Sequence, residues 1–103
     1  MALLTDYTSF ADAQAHFTPA RLWELMDGDR EALNIAHECI DRHAGDPARV
    51  AVRLAMADGG SQEFTFRQIA DASSQFANLL LARGIAPGDR VAIMLEPSFA
   101  FYV

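Results

Sequence analysis

Lysine is absent from this 103-residue sequence, and its eight basic side chains are all arginines. They face 14 acidic residues, the formal net charge is −6, and no basic block occurs anywhere. Nucleic acid and anionic membrane surfaces need clustered positive charge, so this balance argues against both as partners. Without lysine no Walker phosphate loop can form, because that loop ends in Gly-Lys-Ser/Thr. The glycine fingerprint G-x-G-x-x-G is missing too. Cysteine occurs once, at Cys39, which rules out an internal disulfide and suits a reducing compartment such as the cytoplasm. Long apolar runs are also lacking. The longest candidate, "FANLLLA", is far short of the ~18 residues a membrane helix needs, and it contains Asn78. The opening "MALLTDYTSF" has no basic region and only a brief apolar run before Thr5 and Asp6, so it does not read as a secretory signal.

What is present is an ordinary globular composition, 51% hydrophobic and 21% charged, without repeats or low-complexity tracts. Residues 1–47 read as a mostly helical lead-in. In "TPARLWELMDG", Thr18 stands as N-cap, Pro19 at the first helical position and Gly28 just past the end. Leu22, Trp23, Leu25 and Met26 form the sticky side, with Trp23 a packing anchor. In "NIAHECIDRHAGD", Asn34 is placed to cap a short amphipathic helix. Ile35, Ala36, Cys39, Ile40 and His43 recur on one face, and Gly45 ends the helix.

From residue 48 the pattern changes. Val50, Val52, Leu54 and Met56 alternate as in a half-buried strand, Asp58-Gly59-Gly60 signals a turn, and Gln62 to Phe64 return as a second strand. Phe66, Ile69, Ala70, Ser73, Phe76, Ala77 and Leu80 then mark one face of a long helix. Thr65 and Gln68 form a capping box at its start, and Gly84 supplies a left-handed stop. Pro87-Gly88 turns the chain into "RVAIML". This stretch is apolar at nearly every position, as in a strand covered on both faces. "EPSFAFYV" begins a further helix at Pro97 and Ser98. The expected class is α/β, in the order strand, strand, helix, strand, incipient helix.

Chemistry is harder to find. "HECIDRH" places Cys39 and His43 four apart with His37 nearby. Asp41 stands where H-E-x-x-H needs its second histidine, and no second Cys/His pair completes a four-ligand set. Cys39 is therefore expected to be a small buried hydrophobe. Gly84 and Gly88 are read as cap and turn residues. No serine lies in G-x-S-x-G, and the spacing of Asp6, Asp12 and Asp58 singles out no partner. The expectation is that no catalytic, cofactor-binding or metal-ligating residue is present.

The stretch "FTFRQIADASSQFANLLLARGIAPGDRVAIMLEPSFAFYV" resembles the early N-terminal region of AMP-forming acyl-CoA synthetases, members of the adenylate-forming ligases. The likeness is carried by Phe64-Thr65-Phe66, Ile69, Ala77, Leu80, Gly84, the Gly88-Asp89-Arg90-Val91 turn into a strand, and the Pro97-Ser98-Phe99 helix start. Upstream, "NIAHECIDRHA" resembles a segment of acetyl- and medium-chain acyl-CoA synthetases. The resemblance implies that 1–103 is part of the large N-terminal, AMP-binding domain, with 48–103 opening its α/β layer. It implies a parent enzyme that joins a carboxylate to coenzyme A through an acyl-adenylate, using ATP, magnesium and CoA. The family's catalytic motifs have no counterpart here, and two of them need a lysine. The chain is thus expected to be an inactive structural fragment whose partner is the remainder of a longer polypeptide. Self-association through the apolar edge Val91–Leu95 is also expected. A small stand-alone interaction module and the start of a peptide-synthetase adenylation domain are the alternatives.

Overall fold

The computed structural model describes residues 3–103. They form two compact units, the first running to Glu38 and the second spanning Cys39–Val103. In the first unit, helix α1 covers Phe10–His16, with the Ser9 hydroxyl accepting from the Asp12 amide at 3.2 Å. A 3-10 helix follows over Pro19–Leu25. Proline occupies its first turn as expected, but Thr18 makes no side-chain cap hydrogen bond, and Met26 closes the helix two residues before Gly28.

Gly28 has a different role. A Cβ there would lie 2.6 Å from the Ala32 carbonyl oxygen, so the chain from Ala32 to Leu33 folds back over a position only glycine can fill. Asn34 caps α2 (Ile35–Cys39), its side-chain oxygen accepting from the amides of Ala36 at 3.1 Å and His37 at 3.3 Å. The expected apolar stripe of this helix is overturned. Ile35 and Cys39 are exposed, and the buried residue of the helix is Glu38. The cause is electrostatic. The Glu38 carboxylate accepts from the Asp27 amide at 2.9 and 3.0 Å and from the Gly28 amide at 2.7 Å, which turns its own face of the helix inward. Charge-assisted bonds of this kind outweigh the small gain from burying one cysteine. The helix also breaks at Ile40 (φ −126°, ψ −64°) and resumes as a 3-10 turn over Asp41–His43.

The second unit follows the sequence pattern more closely. Strand β1 (Val50–Ala55) pairs antiparallel with β2 (Ser61–Thr65) in the register Val52↔Phe64, Arg53↔Glu63, Leu54↔Gln62 and Ala55↔Ser61. An irregularity between Val50 and Val52 inserts an extra residue, so Ala51 and Val52 are both half-buried while Val50 stays exposed. The connection is a three-residue loop. The Met56 amide donates to the Gly60 carbonyl, the Gly59 amide donates to the Met56 carbonyl, and Gly59 sits at φ +87°. Met56 is spent on that turn and lies exposed, outside the alternation predicted for it.

Helix α3 runs Phe66–Ala82. Its capping box forms: Gln68 N donates to Thr65 Oγ1 at 3.2 Å, and Thr65 N donates to Gln68 Oε1 at 2.9 Å. At the other end, Gly84 adopts φ +80°, the Gly84 amide reaches Leu81 O, and the Ile85 amide reaches Leu80 O, both at 3.0 Å. This is a Schellman closure. Only the first half of the predicted stripe meets a core. Ile69 is 1% exposed and, with Ala44, makes up the buried apolar residues among those described, whereas Phe76 is 37% exposed. The turn Ala86-Pro87-Gly88-Asp89 is of type II. Gly88 sits at φ +96°, the Asp89 amide donates to Ala86 O, and the Asp89 carboxylate accepts from Ala86 N at 2.8 Å.

Val91–Leu95 does not become a strand here. No ladder partner for it exists among the described residues, and its side chains are exposed. A strand needs backbone partners as well as a suitable side-chain pattern, and here the pattern stands alone. Helix α4 covers Phe99–Tyr102 after Ser98. Phe99 is not left without a packing partner, because it stacks on Phe64 with ring centroids 4.6 Å apart.

Candidate functional site

The polar side chains gather into small structural clusters. In the first unit Arg21 is buried at 9% exposure. It forms a two-pronged bond to Glu24 (Nε–Oε1 3.0 Å, Nη2–Oε2 3.1 Å), donates to the Tyr7 hydroxyl, and reaches the His16 carbonyl at 3.3 Å. The hydrogen bond from Arg21 holds the Glu24 carboxyl below the usual carboxylate range, against a partial opposing effect of desolvation. The same bond raises the Arg21 guanidinium above its ordinary value. Close by in sequence, His37 Nε2 meets Asp27 Oδ2 at 2.8 Å.

In the second unit, His43, Arg49 and Phe66 form one cluster. Arg49 lies 5.2 Å above the Phe66 ring and donates from Nη1 to His43 Nδ1 at 3.3 Å, and the His43 ring sits 5.1 Å from that of Phe66. Arginine has only donors, so His43 Nδ1 is the acceptor. The Arg49 carbonyl also accepts the Phe66 amide at 3.1 Å, which ties the start of β1 to the start of α3.

These placements answer the sequence reading residue by residue. Cys39 is exposed and is not the buried hydrophobe expected. His37 bonds Asp27 and His43 bonds Arg49, so the "HECIDRH" motif is not drawn together around one point. Asp6 accepts from the Leu3 amide, Asp12 pairs with His16 at 3.1 Å, and Asp58 holds the Gly60 amide, each a local contact. Among the described residues no group of three or more His, Cys, Asp or Glu side chains could hold a metal ion. Sequence reasoning missed Arg21, Glu38 and Arg49. Glu38 and Arg49 bond residues outside their own helical or strand period, so no spacing rule marks them, whereas Arg21 and Glu24 stand at i,i+3 spacing and could have been read as a charge pair.

Two hollows on the surface are lined mainly by apolar side chains. In the first unit Tyr7, Phe10, Phe17, Leu22 and Leu25 line a hollow of about 430 Å³. In the second, Ala72 and Phe76 of α3, Ile93 and Leu95, and Phe99 and Val103 line an open groove of about 340 Å³. Its floor is the half of α3 that the core does not cover. Such a surface can bind apolar groups. Among the described residues the linings of these hollows offer no nucleophile and no paired acid and base, and the left-handed glycines Gly59, Gly84 and Gly88 are committed to turns and a helix stop.

The compact second unit is also the part similar to known proteins. The family model described as "AMP-binding enzyme" matches residues 39–103. The acetyl-coenzyme A synthetase of Streptomyces coelicolor is 45% identical over 65 residues, which cover 61% of this chain and 10% of that protein. The acetyl-coenzyme A synthetase of Burkholderia lata is 43% identical over 68 residues, covering 64% of this chain and 10% of that protein. That of Paraburkholderia phymatum is 40% identical over 72 residues, or 68% and 11%. No solved structure matches the chain. It therefore spans about a tenth of the length of these curated relatives. The family model covers well over half of the chain and begins where the second compact unit begins, so this chain belongs to the family of AMP-binding enzymes.

Proposed function

We propose that this chain is the opening scaffold of an AMP-forming acyl-CoA ligase, and that the chemistry belongs to residues outside it. The supporting observation is the family-model match over residues 39–103, which hold the hairpin, α3 and the turn after it, beside 40–45% identity over 65–72 residues to acetyl-coenzyme A synthetases. Four of the residues that carry the resemblance have structural tasks in the fold: Thr65 caps, Gly84 stops, Gly88 turns and Ile69 packs. ATP, magnesium and CoA are the reagents of such a ligase, and the described residues do not fit them. Lysine is absent, no acidic cluster among the described residues suits a metal, and the amides of Gly59, Gly84, Ile85 and Asp89 are already bonded within turns and a helix stop. A short carboxylic acid is the substrate class to test first, and the cytoplasm is the proposed compartment. The remainder of a longer polypeptide is the proposed partner.

A graft tests this reading. Residues 39–103 replace the aligned segment of the Streptomyces coelicolor relative, and acetate-dependent pyrophosphate exchange with ATP is measured. The graft is expected to retain exchange, and the 103-residue chain alone is expected to show none. A graft that folds but is inactive, or exchange that depends on this chain alone, would refute the scaffold reading.

A further inference from the structure

The segment Arg90–Glu96 has features no part of the fold uses. Val91, Ile93, Met94 and Leu95 are 49%, 60%, 98% and 50% exposed. Among the described residues, none of the backbone groups from Val91 to Glu96 has a backbone partner, and neither Arg90 nor Glu96 forms an ion pair. Unsatisfied strand-forming backbone invites pairing with another chain.

The order of the residues says which chain. Read as "RVAIMLE", the segment is complementary to itself when reversed about Ile93. In an antiparallel pair centred there, Ile93 meets Ile93, Val91 meets Leu95, small Ala92 meets large Met94, and Arg90 meets Glu96 at both ends. Side chains alternate between faces along a strand. One face of the pair is then wholly apolar, carrying positions 91, 93 and 95. The other carries the two Ala–Met pairs flanked by the two Arg–Glu pairs. The structure already separates these sets, since Ile93 and Leu95 line the groove on α3 and Met94 points away into solvent.

We propose that this chain forms a two-fold dimer by antiparallel pairing of Arg90–Glu96 with the same segment of a second copy. Opposite charges directly across a strand pair stabilise it and like charges oppose it. The apolar face of the paired strands continues the groove floored by Ala72 and Phe76, so pairing covers side chains of both copies at once. This goes beyond the ligase reading and needs no catalytic activity for its test.

The test is charge reversal, read by sedimentation equilibrium of the 103-residue chain over a dilution series. Arg90→Glu takes the net charge from −6 to −8, and Glu96→Arg takes it to −4. Both place like charges opposite each other, so both are expected to weaken dimerisation by about tenfold or more, although their effects on net charge are opposite. The double variant Arg90→Glu with Glu96→Arg is expected to return to within a few-fold of the original. Both positions are exposed and outside helices and strands, and far-ultraviolet circular dichroism checks that α3 persists. A monomer at every concentration overturns the proposal, whatever else covers the groove. Association that Glu96→Arg leaves unchanged or strengthens overturns it as well, because apolar clustering limited by net charge would behave so. Failure of the double variant to recover overturns the register.

Discussion

Ile69 and Phe76 lie two turns apart on the same predicted stripe of α3, but they have different surroundings. Ile69 is 1% exposed and is the largest fully buried side chain of the described residues, while Phe76 is 37% exposed over an open groove. Truncating Ile69 to alanine removes transferred surface and leaves a cavity, at about 2–5 kcal/mol. Truncating Phe76 removes a ring about two-thirds covered and leaves no enclosed cavity, so only the transfer part is lost, about 1–2 kcal/mol. A folded unit of this size has a total stability of roughly 3–10 kcal/mol. Ile69→Ala therefore uses up much of what holds the unit together, and Ile69→Val, at about 0.5–1.5 kcal/mol, is the variant that keeps it folded for measurement. Urea unfolding followed by helical circular dichroism gives the three values, with the midpoint read at constant slope. The expected order of cost is Ile69→Ala above Phe76→Ala. Phe76→Ala costing more than Ile69→Ala would mean that the second half of α3 is covered, and the placement of the core given above would be wrong.

Three further outcomes follow from particular contacts. Glu38→Ala should cost about 1–3 kcal/mol of local stability, because two backbone amides lose a carboxylate acceptor; faster hydrogen exchange at Asp27 and Gly28 is the readout, and unchanged protection at both amides would contradict it. Thr65→Ala should cost about 1 kcal/mol by removing the N-cap of α3, measured by urea unfolding, with a shift below ~0.3 kcal/mol counting against the capping box as a stabilising element. The lowered carboxyl of Glu24 contributes stability that is present above its unfolded value and lost as pH falls through the lower folded value. Nuclear magnetic resonance titration of the Glu24 carboxyl should therefore show a value below that of a free glutamate, and in Arg21→Gln it should move back up; no upward movement would mean that Arg21 is not the cause.

The hairpin and α3 of the second unit were legible in sequence to within a residue or two because their signals are local. The capping box, the left-handed glycines at 59, 84 and 88 and the alternation through β1 each involve neighbours along the chain. The first unit was less legible because contacts between distant positions organise it. Glu38 reaches back to Asp27 and Gly28, and Arg21 reaches Tyr7, so the buried face of α2 is set by backbone amides that no helical period records. The polar character of the candidate site follows the same division. Cys39 and His43 looked like a helical pair, but the break at Ile40 and the pull of Glu38 leave Cys39 exposed and His43 against Arg49 and Phe66. Val91–Leu95 shows a third kind of limit. Side-chain pattern states that a stretch can be a strand, through apolar residues at successive positions and a turn before them. Whether it is one depends on a second stretch of backbone offering donors and acceptors at ~4.8 Å spacing. That requirement concerns the partner, and the residues of one segment describe it only where, as in Arg90–Glu96, the segment's own reverse supplies it.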